Sequence, residues 1–222
     1  MTRLMSEVQA VIFDMDGLML DTERLALVNF QIVSVELGFP SIEDVYLRTI
    51  GRNAPDTREI FMQAMGPAFP FDAMRERWRS YNDEEMSSSG VAQRPGLTKL
   101  LDAIDRAGVP KAVATSTAYD KAVQLLTKVD LLHRFVTLVG GDQVQKGKPD
   151  PEIFLTAAQR MNVNPGQCLV FEDSGPGIRA AHSAGMMPVL VPDLVMPPPD
   201  VQALAVRIYQ SLDEAIELIG EN

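Results

Sequence analysis

Two aspartates one residue apart, Asp14 and Asp16, follow the apolar run Val11–Phe13 and precede Gly17. Thr115-Ser116-Thr117, Lys148-Pro149 and Glu172-Asp173-Ser174 stand further along the chain. Together they offer acidic oxygen ligands, hydroxyl donors and one cation, the set of groups needed to handle a phosphoryl group. A phosphate monoester is a dianion, so an attacking carboxylate meets like-charge repulsion. A hard cation such as Mg²⁺, held by oxygen ligands, bridges nucleophile and phosphate and removes that repulsion. Lys148 neutralises charge on the equatorial oxygens, while Thr115, Ser116 and backbone amides supply directed donors. A carboxylate nucleophile divides one hard hydrolysis into two easier steps, and a second carboxyl on the Gly17 turn can shuttle protons. Taken singly, each cluster reads as ordinary structure: a solvated turn, a helix cap, a Lys-Pro before a helix.

The elements that position these residues are legible in the pattern. Val8–Phe13 reads as a buried strand ended by Asp14. Thr22–Leu37 reads as a helix, with Leu25, Val28, Ile32 and Val35 at helical spacing and Gly38 ending it. Helical stretches at 56–65 and 72–86 follow, then a loop through Ser87–Gly90 and Pro95-Gly96. From there helix and strand alternate. Helices are predicted over 97–107, 121–129, 151–161, 178–184 and 212–219, with strands over 111–114, 135–139, 168–171 and 188–191. The prolines at 192 and 197–199 predict a loop. Such alternation argues for βαβ units and a parallel sheet covered on both faces. In an open parallel sheet, ligands bind beyond the carboxyl ends of the strands, where all four clusters fall.

One spacing predicts the domain organisation. A βαβ crossover takes about 30 residues, yet roughly three times that separates Phe13 from Lys111, and the interval is helical. The expectation is an α/β, Rossmann-like, doubly wound parallel sheet (1–18 and 90–222) with an inserted α-helical cap domain (19–89) that serves as a lid. A lid must read the leaving group, so Arg52 and Asn53 in the loop Gly51-Arg52-Asn53 are candidate substrate-binding residues.

Composition sets bounds. The 222 residues are 46% hydrophobic and 23% charged, ordinary for a globular chain. Twenty basic against thirty acidic residues give a net charge of −10, which argues against nucleic acid and anionic membrane as partners. One cysteine, Cys168, and two histidines, His133 and His182, make zinc chemistry a poor expectation. The early run is too short for a signal peptide, and no stretch approaches the roughly 18 apolar residues of a membrane helix, so a cytoplasmic protein is expected. Arg75, Arg77 and Arg79 around Trp78 read as a solvated helix face, Cys168 as packing, and Gly175-Pro176-Gly177 as a helix start.

The segments Asp14-Met15-Asp16-Gly17-Leu18 to Asp21-Thr22-Glu23, Ala114-Thr115-Ser116, Gly147-Lys148-Pro149-Asp150 and Phe171-Glu172-Asp173-Ser174 resemble the four motifs of the haloacid dehalogenase-like hydrolases, in the family's order. The resemblance covers Val8 to Asp193 and is to the subgroup with a helical cap. It implies Asp14 as nucleophile, Asp16 as general acid/base, Thr115 and Lys148 as phosphate-holding groups, and Mg²⁺ as cofactor. Asp173 and the Asp14 carboxylate would hold the metal with the Asp16 carbonyl, and Glu172 would join directly or through water. A carboxylate at Asp16 points within the family to phosphate esters.

The text is most similar to pseudouridine 5′-phosphatase-like and β-phosphoglucomutase-like members. Ala26, Ala54 and Ala118 stand where such mutases carry a histidine, an arginine and a lysine, which weakens the mutase reading. The expectation is a Mg²⁺-dependent phosphatase of a small phosphorylated metabolite, a sugar phosphate or nucleoside monophosphate, acting as a monomer or weak dimer. The alternatives are a phosphosugar mutase and a phospho-accepting receiver module, which would lack the helical insertion.

Overall fold

The computed structural model describes residues 7–40, 42–50, 54–88 and 90–220. The chain divides into two compact units, Met1–Asp21 with Ala92–Asn222, and Thr22–Val91.

The first unit is built on strands β1 (Ala10–Phe13), β2 (Lys111–Ala114), β3 (Thr137–Val139), β4 (Cys168–Glu172), β5 (Met187–Leu190) and β6 (Arg207–Ile208). They pair in the order β3-β2-β1-β4-β5-β6, and every pairing is parallel. β1, β2 and β4 are buried along their whole length, as their apolar runs demand of strands covered on both faces. The helices α5 (Leu97–Arg106), α6 (Tyr119–Lys128), α7 (Glu152–Met161) and α8 (Gly175–Ser183) follow β-strand and loop segments as crossovers. On α7, Ile153, Phe154, Ala157 and Ala158 join Ile12, Ala114 and Val170 in one buried cluster.

The topology decides where the loops meet. The chain builds outward from β1 to β2 and β3, then crosses back to place β4 on the other side of β1. Phe13 is in register with Val113 on one side and Phe171 on the other. Asp14 therefore stands one residue past the sheet, between the ends of β2 and β4, at the switch point that open α/β sheets use for ligands.

The second unit holds α1 (Thr22–Glu36), α2 (Glu43–Leu47), α3 (Ala54–Met65) and α4 (Phe71–Ser88). Its core is aromatic: Phe30 lies 4.7 Å from Tyr46 and 5.5 Å from Phe61, ring centroid to centroid. The predicted face of α1 is corrected here. Val28, Ile32 and Val35 are exposed, whereas Phe30, Val33 and Asn29 are buried. Most of α1 is apolar, so periodicity alone chose between faces badly. Packing of Phe30 into the aromatic cluster decided it, and Asn29 is tolerated inside because its amide donates to Asn82 Oδ1 at 2.7 Å.

Other boundaries differ in small ways. The proline-rich segment read as loop leads into a short helix, α9 (Pro199–Gln202), with proline at its start, where a missing N–H costs nothing. β6 and α2 were too short to leave a periodic signal, and the last helix, α10 (Ile216–Gly220), begins four residues later than read. No described helix is long and apolar enough to cross a membrane.

Ile153 is 1% exposed in the cluster beneath the sheet. Ile153→Ala should cost about 2–5 kcal/mol of folding free energy through lost burial and the cavity left behind; a urea unfolding titration against the parent chain checks this.

Candidate active site

The loop after β1 turns at once. Gly17 has φ +77°, its N–H donates to the Leu20 carbonyl at 2.9 Å, and Leu20 N–H donates to Met15 at 3.0 Å. Glycine adopts that left-handed conformation without steric cost. The turn holds Asp14 buried and leaves Asp16 half-buried. On the other side of β1, Glu172 is the last residue of β4 and fully buried, not a residue beyond the strand. The carboxylates of Asp14, Glu172 and Asp173 each place an oxygen within 4.8 Å of the others.

Lys148 enters this cluster. Its ammonium donates to Asp14 Oδ1, to Glu172 Oε1 at 2.7 Å and to the Ala114 carbonyl at 3.1 Å. It also lies 5.0 Å from the centroid of the Phe154 ring. Burial alone would lower the lysine's pKa, but the two carboxylates reverse this and hold it charged, above its ordinary value. Asp14 is pushed up to about 8, first by burial and then by the neighbouring Glu172 and Asp16, with Lys148 opposing. Three carboxylates around one ammonium leave an excess of negative charge in a place nearly closed to water. The donors are all hard oxygens, so the set fits a divalent cation such as Mg²⁺, which would relieve the crowding that raises Asp14.

Glu172 is fixed from the far side. Its Oε2 accepts from Ser174 N–H and Oγ, both at 2.9 Å, and Ser174 also caps α8 by accepting from Gly177 N–H. A Cβ on Gly177 would fall inside the Glu172 carboxylate. The Gly175-Pro176-Gly177 helix start thus does more than begin a helix: its third residue is the space into which the buried carboxylate fits. Gly175, by contrast, has room, its Cβ position lying 3.8 Å from Pro197 and Val201.

The segment after β2 carries hydroxyls. Thr115 is fully buried, and its Oγ1 donates to Asp16 Oδ2 at 3.0 Å. Thr117, named from sequence only as the third member of the hydroxyl cluster, donates to the same oxygen at 2.7 Å. Ser116 lies between them and is exposed. Ala118 is exposed at the start of α6, and the Ala26 carbonyl accepts from Trp78 Nε1 at 2.8 Å in the second unit. Arg52 and Asn53 lie outside the described residues, as does the side chain of Ala54. Trp78 packs at the edge of Phe30, and Arg77 pairs with Glu36 at 3.3 Å. Arg75 instead borders a cavity of about 280 Å³ within the helical unit, whose wall includes Glu23, Tyr46, Thr49 and Trp78. Burial pushes the Cys168 thiol up to about 11, so it is a packing group at neutral pH.

A parallel α/β sheet with an acidic cluster and one lysine at its carboxyl rim, and a helical unit inserted after the first strand, defines a distinct class of α/β enzyme. Residues 11–191 match the model of the haloacid dehalogenase-like hydrolases, and the chain belongs to that family. It is similar to a phosphorylated carbohydrates phosphatase of Thermotoga maritima, 36% identical over 80% of this chain and 82% of that protein. It is also similar to a β-phosphoglucomutase of Bacillus subtilis, 29% identical over 96% of this chain and 94% of that one. The crystal structure of CbbY from Rhodobacter sphaeroides in complex with phosphate superposes with a TM-score of 0.70 at 25% identity, covering 93% and 96% of the two chains.

The two glycines of α8 give a paired test. Gly177→Ala should destabilise the chain by about 1–3 kcal/mol, the cost of forcing an extra carbon into a filled site. Gly175→Ala should leave the thermal midpoint near that of the parent, and calorimetry on the two variants separates them.

Proposed function

We propose that the chain is a Mg²⁺-dependent phosphatase that hydrolyses a small phosphorylated metabolite, a sugar phosphate or nucleoside monophosphate, through an aspartyl-phosphate on Asp14. It is a phosphoric monoester hydrolase of the family named above. The observation that carries the reading is the pairing of Asp14 with Lys148 inside a three-carboxylate cluster. That arrangement supports a buried nucleophile beside a cation able to hold the incoming phosphate.

In this reading Asp14, Asp173 and the Asp16 backbone carbonyl would hold Mg²⁺, with Glu172 joining directly or through water. The ion, when bound, offsets the charge between the Asp14 carboxylate and the phosphate dianion. Lys148 shifts its donation from Asp14 to a phosphate oxygen while Glu172 keeps it in place. Thr115 and Ser116 add hydroxyl donors to that phosphate. An Asp14 oxygen forms its bond to phosphorus as the ester P–O bond breaks, the electron pair leaving with the ester oxygen. Asp16 gives its proton to that oxygen, then takes one from the water that opens the aspartyl-phosphate. Arg52 and Asn53 are the proposed contacts to the organic part of the substrate. The helical insertion, 19–89 as read from sequence, is proposed as the cap that admits it. The acidic surface supports a small-molecule partner over nucleic acid, and a monomer or weak dimer is the proposed assembly.

The β-phosphoglucomutase among the relatives keeps isomerisation as the second reading. Ala26 and Ala118 offer no charge to hold a second phosphate, which supports hydrolysis.

A phosphate-release screen over phosphorylated metabolites tests the proposal. Release should require Mg²⁺, stop with chelator and resume on adding metal; full turnover in chelator would reject the site. Asp14→Asn should lower kcat at least about a thousandfold while the chain stays folded, because an amide cannot form the acyl phosphate. Asp173→Ala should raise the Mg²⁺ concentration for half-maximal rate by tenfold or more. With glucose 1-phosphate, phosphate release should match substrate loss and a sugar bisphosphate should not accelerate turnover. Isomerisation outpacing release would make the chain a mutase.

A further inference from the structure

Asp16 is held by two hydroxyls, and the network around them distinguishes their duties. Thr115 Oγ1 and Thr117 Oγ1 both donate to Asp16 Oδ2, at 3.0 and 2.7 Å. Thr117 N–H in turn donates to Thr115 Oγ1 at 3.0 Å. Two donors on one oxygen fix the carboxyl plane and occupy both lone pairs of Oδ2. That leaves Oδ1 as the atom that carries or receives a proton. The proposed reaction draws the Thr115 hydroxyl toward phosphate, so Asp16 would lose that donor when substrate binds. Thr117 is the donor that remains.

The Thr117 hydroxyl is not on a loose loop. Its own carbonyl accepts from Gly141 N–H at 2.9 Å, and the carbonyl of Ser116 lies where a Cβ on Gly141 would fall. Tyr119 N–H donates to Asp142 Oδ1 at 2.8 Å, and a Cβ on Gly140 would strike the Tyr119 backbone. The turn after β3 therefore clasps the segment after β2 on both sides of Thr117. Two successive glycines permit that approach. Such a support costs no reorganisation at the moment of reaction, which is what a positioned acid needs.

We propose that Thr117 is the positioning residue of Asp16: its hydroxyl holds Oδ2 so that Oδ1 points its proton at the departing ester oxygen. The inference rests on the phosphatase reading given above. As Asp14 bonds to phosphorus and the ester bond breaks, the electron pair goes to the departing oxygen and the Oδ1 proton follows it. A misaimed Asp16 therefore penalises leaving groups that need protonation and spares those that do not.

The test compares kcat/KM, which reports the steps through loss of the leaving group, for two substrates. These are an alkyl phosphate, glycerol phosphate, and p-nitrophenyl phosphate, whose phenolate leaves without a proton. Thr117→Val keeps the shape and removes the donor. It should lower kcat/KM for glycerol phosphate at least tenfold more than for p-nitrophenyl phosphate, and Thr117→Ser should return the ratio to within about threefold of the parent. An equal loss on both substrates would mean a packing or phosphate-holding role and overturn the proposal, as would no loss at all. Asp16→Ala should show the same bias more strongly. If it shows none while the parent is active, the acid role of Asp16 fails and the proposal falls with it. A parent chain that releases phosphate from neither ester would refute the phosphatase reading itself. Thermal midpoints of both Thr117 variants, expected near the parent value, separate misaimed chemistry from misfolding.

Discussion

The ammonium of Lys148 sits between the carboxylates of Asp14 and Glu172, nearly closed to bulk water, and the geometry around it follows from that placement. A buried carboxylate without a partner loses its charge, and a buried lysine does the same. Each keeps the other viable, but the count is uneven: Asp173 adds a third carboxylate to the group. Asp14 is held well above the ordinary carboxylate range first by burial and then by Glu172 and Asp16, which together outweigh one lysine. A cluster in this condition favours a further cation, and its hard oxygen donors select the type.

Holding such a cluster requires support from several loops, and the sheet topology brings them together. β1 lies between β2 and β4, so the residues after all three strands converge on one rim although they are far apart in sequence. Glu172 is braced by the amide and hydroxyl of Ser174 at the start of α8, where unpaired N–H groups favour negative charge. Gly177 gives the carboxylate its space. The hydroxyl segment is braced by the Gly140-Gly141 turn after β3. These glycines serve close approach rather than flexibility.

The helical unit obeys different physics. Its interior is a set of aromatic rings at edge-on, tilted and, for Phe61 with Phe69, stacked angles, with a buried amide pair between α1 and α4. It also keeps a cavity bordered by both Glu23 and Arg75, so charge and apolar wall meet in one place.

The sequence by itself determined the parallel α/β architecture and the interruption after the first strand. Apolar runs bounded by charge, and a crossover interval far too long for one helix, are local or one-dimensional signals. It also pointed to Asp14, Asp16, Thr115, Lys148, Glu172 and Asp173, because acidic, hydroxyl and cationic types at strand ends carry their chemistry in their identity. It did not determine which face of α1 is buried, since the apolar residues of this helix are spread over more than one face and only the partner chooses. It named Thr117 within the hydroxyl cluster and Gly177 within a helix start, but it could not give either its role. A threonine three places past a strand looks like a cap, and a glycine after a proline looks like a helix start. Their significance lies in what they touch, Asp16 for one and Glu172 for the other, across 101 residues of chain in the first case. Contacts at that separation exist only once the sheet has put the loops side by side, so the tertiary structure alone decided them.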